Sequence, residues 1–190
     1  MSTPNTCRIS AYDEALHDRS AFSCGIQAID NWLKSGLSEQ LDLNRIKLHC
    51  AIDENKKLVG FYALNAHSFR QEDAGFLSRK RERKEVPVIY LPAIAVDTEY
   101  QSKKLGAALM AHAIKKSVDI SNQIGAAALV LDIKEDADLD RRKRFYTRLG
   151  FEPLGGPKPL RFFLPMNVAR LSVEKLNASQ AMPNAEASAI

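Results

Sequence analysis

The spacing of hydrophobic positions changes several times along the chain, and each change marks an element. Residues 7–12 (CRISAY) alternate and predict a first strand. From Phe22 the spacing lengthens: Ile26, Ile29, Trp32 or Leu33, and Leu37 recur at helical intervals, with Ser23 as the expected N-cap. Residues 47–53 (KLHCAID) and 58–66 (LVGFYALNA) are rich in strand formers, and the polar turn Glu54-Asn55-Lys56-Lys57 between them predicts an antiparallel hairpin. Residues 86–118 then read as an apolar strand, a short polar turn and an amphipathic helix. Both faces of Val86 to Val96 are apolar, as in a strand buried on both sides. Pro92 lacks a ladder donor and predicts a bulge within it. Asp97 and Thr98 end the strand. Leu109, Met110, Ala113, Ile114 and Val118 then share one side of a helical wheel, opposite Lys104, His112, Lys115 and Asp119.

Residues 126–133 (AAALVLDI) form another strand after Gly125, the helix stop, and strand-helix-strand implies a parallel crossover. Residues 138–150 predict a helix with Leu139, Phe145, Tyr146 and Leu149 on one face and Gly150 at its end. Phe151 re-enters the core, and residues 160–166 form the last strand after the Gly155-Gly156-Pro157 turn. Residues 167–177 add a short helix. Residues 178–190, small, polar and proline-containing, predict disorder.

A length of 190 residues with 45% hydrophobic content fits one domain, residues 1–166, and a C-terminal tail, residues 167–190. The net charge of +4 permits an anionic partner without demanding one. Its distribution is more informative: Arg79, Lys80, Arg81, Arg83 and Lys84 form one basic run, and Arg141, Arg142, Lys143 and Arg144 another. Such runs are either solvated surface or a patch that tracks phosphates by counterion release. Cys7, Cys24 and Cys50 show no CxxC spacing and the histidines no ligand pairing, so neither a disulfide framework nor a metal is expected; each cysteine is expected to be a buried thiol. The N-terminus MSTPNTCR has no apolar signal core and no apolar run is long enough to span a bilayer, so the expected location is cytoplasmic. Where the strand at 86–96 leads into its helix, the first-turn N–H groups lack intrahelical partners and face the positive end of the dipole. They suit a phosphate or pyrophosphate, with Lys103 and Lys104 adding charge.

Ala95-Val96-Asp97 followed by Gln101-Ser102-Lys103-Lys104-Leu105-Gly106 resembles the acyl-CoA-binding signature of the GNAT N-acetyltransferase superfamily, hydrophobic-Ala-Val-Asp and then (Gln/Arg)-x-x-Gly-x-(Gly/Ala). Lys104 stands where that family usually has its first loop glycine, and Ser102 where a further glycine is frequent. Phe145-Tyr146-x-x-x-Gly150-Phe151 resembles the (F/Y)Y-x-x-x-GF signature late in the same domains. The resemblance implies an α/β (α+β) GNAT-type domain: a mixed, mostly antiparallel central sheet flanked by helices, with a splayed parallel strand pair at the acyl-CoA site. It implies that Ile94, Ala95, Val96, Gln101, Ser102, Lys103, Lys104, Leu105, Gly106 and Ala107 hold acetyl-CoA, with the backbone of Ile94 and Val96 pairing with its pantetheine arm. The N–H of Ala95 or Val96 would donate to the thioester oxygen, and Tyr146 would be the catalytic residue that protonates the leaving thiolate. A tyrosine of ordinary pKa ~10 facing a thiol of ~8.5 makes that transfer modestly uphill. No Asp, Glu or His announces itself as a general base.

Phe22-x-Cys24-Gly25-x-x-x-Ile29-Asp30-x-Trp32-Leu33, followed by Val59-Gly60-Phe61-Tyr62-Ala63-Leu64, resembles the acetyltransferase toxins of bacterial type II toxin-antitoxin pairs, over about residues 8–166. That resemblance implies acetylation of the α-amino group of aminoacyl-tRNA, a block of translation and neutralisation by a ribbon-helix-helix antitoxin; oligomeric state stays open, a homodimer being common in such families. An α-amino group of pKa near 7.7–8.0 leaves much free base at neutral pH. Both basic runs could hold the tRNA backbone. Two other readings stay open: a GNAT enzyme acting on a protein lysine or small-molecule amine, and a non-catalytic acyl-CoA-binding regulator in which Lys104 and Ser102 impair turnover.

Overall fold

A computed structural model of the chain describes residues 7–70, 73–74, 77, 85–155 and 158–181. Arg79, Lys80, Arg81, Arg83 and Lys84 therefore lie outside the described residues. The chain divides into two compact units, residues 1–68 with 89–113, and residues 69–88 with 114–190.

The first unit opens with strand β1 (Arg8–Ala11), helix α1 (Gln27–Asn31), a π-helical turn over Trp32–Gly36, and helix α2 (Ser38–Asp42). Strands β2 (Lys47–Ile52) and β3 (Leu58–Arg70) form the expected hairpin, antiparallel with Lys47 opposite Leu64, and β1 adds antiparallel to β2 with Arg8 opposite Ile52. The hairpin turn closes on Asp53, whose carboxylate accepts from the N–H groups of Asn55 and Lys57, both at 2.9 Å. Side chains alternate across β3. Phe61 and Ala63 join Phe22, Leu33, Leu37, Leu48 and Cys50 in one apolar cluster, with the Phe22 ring edge-on to Phe61 at 5.3 Å. Gly60 faces the other way, toward Leu105 and Leu109. Ser23 does not cap the helix as expected. Its hydroxyl is taken by Asp30, the cap position falls to Ile26 without a side-chain bond, and residues 23–26 stay irregular.

Strand β4 (Glu85–Val96) runs unbroken through Pro92, whose side chain is exposed. Burial on both sides is confined to its middle, Val88–Leu91; Glu85 and Pro87 are exposed, and Ala93, Ile94, Ala95 and Val96 are all half-buried. Helix α3 (Leu105–Ser121) buries the predicted Leu109, Met110, Ala113, Ile114 and Val118. His112, placed on the wet side by the wheel, instead bonds the Tyr62 hydroxyl through Nδ1 at 2.7 Å, and the His49 ring stacks on Tyr62 at 4.9 Å.

The second unit holds the start of β4, strand β5 (Ala128–Asp132), helix α4 (Leu139–Arg148), strands β6 (Glu152–Pro153) and β7 (Arg161–Pro165), and helix α5 (Met166–Ala181). Ala127 donates to Pro87 O at 2.8 Å, β5 lies parallel to β4, and β7 pairs antiparallel with both β5 and β6. The strand order is β1-β2-β3-β4-β5-β7-β6. Leu129, Leu131, Phe151, Leu154 and Leu164 fill this unit's core. Arg161 clasps Asp132 through two bonds of 2.7 and 2.8 Å, with its guanidinium over the Phe69 ring. Gly150, at φ +89°, ends α4 as expected.

α5 continues to Ala181, so residues 178–181 are helical where disorder was expected. Its first turns are anchored by buried Met166 and Ala169 against the sheet's end, which extends the helix beyond the reach of composition alone. Of the three cysteines, Cys24 and Cys50 are buried and Cys7 is half-buried; all are free thiols. Among the described residues no group of His, Cys, Asp or Glu is arranged to hold a metal, and no helix is long and apolar enough to cross a membrane.

Candidate active site

The site is built in the first unit where β4 ends. Asp97 is almost wholly buried; its N–H donates to Val59 O on β3 at 2.9 Å, and its carboxylate accepts from Glu99 N at 3.1 Å and Ser23 N at 3.3 Å. It thereby caps a 3-10 turn over Thr98–Tyr100. Backbone groups of successive strand residues point to opposite sides. Since Asp97 N–H is directed at β3, the N–H groups of Val96 and Ile94 are directed away from it, while the Val96 C=O accepts from the Gln101 amide. Ala95 N–H is directed toward β3. Of the two expected oxyanion donors, Val96 is the one presented.

The loop beyond carries the charge-binding geometry. Ser102 and Lys104 sit at φ +63° and +64°, the left-handed region in which a glycine is ordinarily found. Alternation of ordinary and left-handed residues turns successive N–H groups to one side and makes an anion-binding nest. Residues 101–104 are hydrogen-bonded turn, and among the described residues the N–H groups of Ser102 to Gly106 make no close backbone hydrogen bond. Helical bonding begins only with Ala107 and Ala108, which both donate to Lys104 O. Loosely held N–H groups at a helix N-terminus fit a pyrophosphate. Lys104 is exposed, and Lys103 holds its ammonium 4.8 Å over the Tyr100 ring.

Two of the expected cofactor residues have other employment for their side chains. Leu105 is buried toward Gly60, so only its N–H faces outward. The Gln101 amide donates to Cys24 O and Val96 O, each at 3.1 Å, and is a bracket for the backbone rather than a phosphate ligand. The hairpin turn joins from the other side: Tyr100 hydroxyl donates to Asp53 at 2.7 Å, and Lys57 pairs with Glu99 at 2.6 Å. Bonding to Asp53 holds the Tyr100 hydroxyl up at about 12. Burial alone would raise the Asp53 carboxyl, but donation from Tyr100, Lys57 and Asn55 brings it below the usual range.

In the second unit, α4 places Tyr146 among aromatic neighbours, with Phe145 at 5.2 Å and Phe151 at 5.7 Å between ring centroids. Only 8% of Tyr146 is exposed, and burial pushes its hydroxyl up to about 12, with the Arg142 charge opposing. The group therefore stays protonated at any physiological pH. Burial raises thiols in this chain to a similar extent, so it does not by itself set the direction of transfer between Tyr146 and a thiolate. The basic run on α4 is partly committed. Arg142 makes two bonds to Asp136 at 2.7 and 2.8 Å and holds that carboxyl down at about 2. Arg141 meets Asp138 at 3.2 Å, Lys143 is half-buried, and Arg144 is exposed.

The sequence pattern missed Asp30, Ser23 and Asp53 as partners of this loop. Asp30 is a carboxylate inside an apolar helical stretch and could have been flagged on that ground. The thiols offer no nucleophile, since burial pushes Cys24 to about 11 and Cys50 to about 12.

Residues 45–153 match the model of the acetyltransferase (GNAT) domain family. The chain is 30% identical over 168 residues to a protein of Sinorhizobium fredii called probable toxin TacT, covering 85% of this chain and 92% of that one. It is 32% identical over 155 residues to the tRNA-acetylating toxin of Mycobacterium tuberculosis, covering 80% and 89%. A crystal structure of AtaTR bound with acetyl-CoA superposes with a TM-score of 0.72 at 25% identity, covering 88% of this chain and 98% of the other.

Proposed function

For a chain that belongs to the acetyltransferase (GNAT) family, we propose transfer of the acetyl group of acetyl-CoA to the α-amino group of an aminoacyl-tRNA, the action of a translation-blocking toxin neutralised by a ribbon-helix-helix antitoxin. The observation that carries the acyl-CoA part is the loop with two left-handed residues at a helix N-terminus, where the N–H groups of Ser102 to Gly106 make no close backbone hydrogen bond among the described residues. The choice of acceptor is supported by relatives named as a probable toxin and a tRNA-acetylating toxin across most of the chain.

Acetyl-CoA supplies an activated acyl group as its thioester. The loop N–H groups and Lys103 bind the pyrophosphate, and the backbone of Ile94 and Val96 aligns the pantetheine arm. Val96 N–H donates to the carbonyl oxygen where negative charge develops. An amine of pKa near 7.7–8.0 is substantially free base at neutral pH, so no carboxylate base is required. Tyr146 is the proton donor for the departing sulfur. Its hydroxyl is protonated and can give its proton to the sulfur as the C–S bond breaks. Arg144, with Arg141 and Lys143, offers charge to the tRNA backbone.

The test is to incubate the purified protein with acetyl-CoA and charged tRNA and to look by mass spectrometry for N-acetylated amino acid on the tRNA. Tyr146→Phe is expected to lower transfer at least tenfold, within the usual ~100 to 10,000-fold worth of a general acid, with acetyl-CoA affinity little changed. Acetylated protein lysines with unmodified tRNA would refute the acceptor, and unchanged turnover would remove Tyr146 from the chemistry.

A further inference from the structure

A left-handed non-glycine residue persists only where its surroundings over-determine it, and this loop contains two of them. What over-determines them is visible in the first unit. Asp30 accepts from Cys24 N at 2.8 Å and from the Ser23 hydroxyl at 3.1 Å. Burial alone would raise the Asp30 carboxyl, yet donation from Cys24 and Ser23 and the nearby Lys34 hold it below its ordinary value. It is therefore an ionised, 6%-exposed anchor that fixes residues 23 and 24. Those two residues in turn grip the loop: Ser23 N donates to Asp97, Ser23 O accepts from Thr98 N at 2.9 Å, and Cys24 O accepts from Gln101. Gly25, at φ +81°, lets the chain turn away directly afterward, with Thr98 3.6 Å from where a Cβ would stand.

We infer that Gln101 and Asp30 are positioning residues for the acyl-CoA loop, Gln101 bracketing Val96 to Cys24 and Asp30 holding Cys24 in place, so that the nest at Ser102–Gly106 is formed before ligand arrives. The N-terminal segment 22–30 thus serves acyl-CoA binding through hydrogen bonds, without touching the ligand. It rests on the acyl-CoA reading above and adds to it a cause for the loop's shape. The physical reason is conformational: without the bracket the left-handed residues relax toward ordinary backbone, the N–H groups diverge, and affinity falls by the fraction of molecules still in the competent form. Glycine at 102 and 104 removes the side-chain penalty, so the bracket should matter less there.

The experiment compares the unaltered protein, Gln101→Ala, Asp30→Asn, Ser102→Gly/Lys104→Gly, and the triple variant combining Gln101→Ala with both glycines. Amide hydrogen exchange of Thr98, which donates to Ser23 O, and of Ala107 and Ala108, which donate to Lys104 O, is measured in the ligand-free protein, and acetyl-CoA binding by calorimetry. Gln101→Ala is expected to speed exchange at Thr98, Ala107 and Ala108 at least tenfold and to raise the acetyl-CoA Kd at least tenfold, with kcat at saturating acetyl-CoA within twofold. Asp30→Asn moves both quantities in the same direction. In the diglycine background the same Gln101→Ala change raises Kd less than threefold. Unaltered exchange and Kd in Gln101→Ala, or an equal loss in both backgrounds, overturns the inference. Fast exchange in Gln101→Ala alongside no acetyl-CoA binding by the unaltered protein would instead refute the acyl-CoA reading and leave the bracket standing.

Discussion

Ser102→Gly/Lys104→Gly should stabilise the protein, which is unusual for a double substitution in a binding loop. Both positions hold φ near +63°, where an L side chain costs about 1–2 kcal/mol. Glycine removes that cost but adds freedom to the unfolded chain, offsetting about 0.4–1 kcal/mol at each position. Neither side chain makes a hydrogen bond or ion pair among the described residues, so no favourable contact is lost. The net gain is then about 0.8 kcal/mol per site, about 1.5 kcal/mol for the pair. For a chain of this size that raises Tm by roughly 3–6 °C. Urea unfolding should show a higher midpoint at unchanged slope, which separates a change in stability from a change in the unfolded ensemble. Single substitutions should each give about half the effect, and since the two strains lie on one loop, additivity itself is informative. A loss of more than 1 kcal/mol would show that the left-handed conformation is not a strain and would remove the physical basis for the bracket.

Gly60→Ala should cost about 1–3 kcal/mol in chemical denaturation, because its Cβ would stand 2.9 Å from Leu109 Cδ1 and 3.3 Å from Ala95 O; a neutral result would mean α3 shifts freely over β3. The pH profile of kcat/KM on aminoacyl-tRNA should rise through about 8 as the α-amino group deprotonates, then stay level to at least pH 10, since Tyr146 loses its proton only near 12; an alkaline fall below pH 10 would argue against a buried, protonated Tyr146. The Asp136 carboxyl should titrate near 2 by NMR and move toward the ordinary carboxylate value in Arg142→Ala. Because its folded value lies below the unfolded one, the pair's contribution to stability is present above about pH 4 and is lost as pH falls toward 2; an unmoved Asp136 titration in the variant would locate the cause elsewhere.

Much of the architecture was legible in period and composition. The hairpin 47–66, the strand-turn-helix at 86–118 and the α4 aromatic face appear in the residues and reappear in the structure. Two kinds of feature were not. Ser23 looked like an N-cap because its neighbours are helical and its side chain suits the role, yet a carboxylate seven residues later competes for the same hydroxyl. His112 looked solvated because a wheel knows only its own helix, whereas Tyr62 arrives from β3, fifty positions away. Similarly, Arg142 reads as one of four interchangeable basic residues until its bond to Asp136 distinguishes it from exposed Arg144.

For the site itself, residue order alone determined the chemistry on offer: a strand that ends at Asp97, a basic turn, a helix start with free donors, and a tyrosine late in the chain. It also raised the question posed by Lys104 and Ser102 where glycines were expected. Only the tertiary structure answered it, because a φ angle held against its intrinsic preference depends on what surrounds it. Here the surroundings come from Ser23 and Cys24, themselves held by Asp30, on one side and Asp53 and Lys57 on the other; all but Asp30 are hydrogen-bonded to a loop of about eight residues distant in sequence. Local pattern shows which backbone a segment prefers; long-range bonds decide when it adopts one it does not.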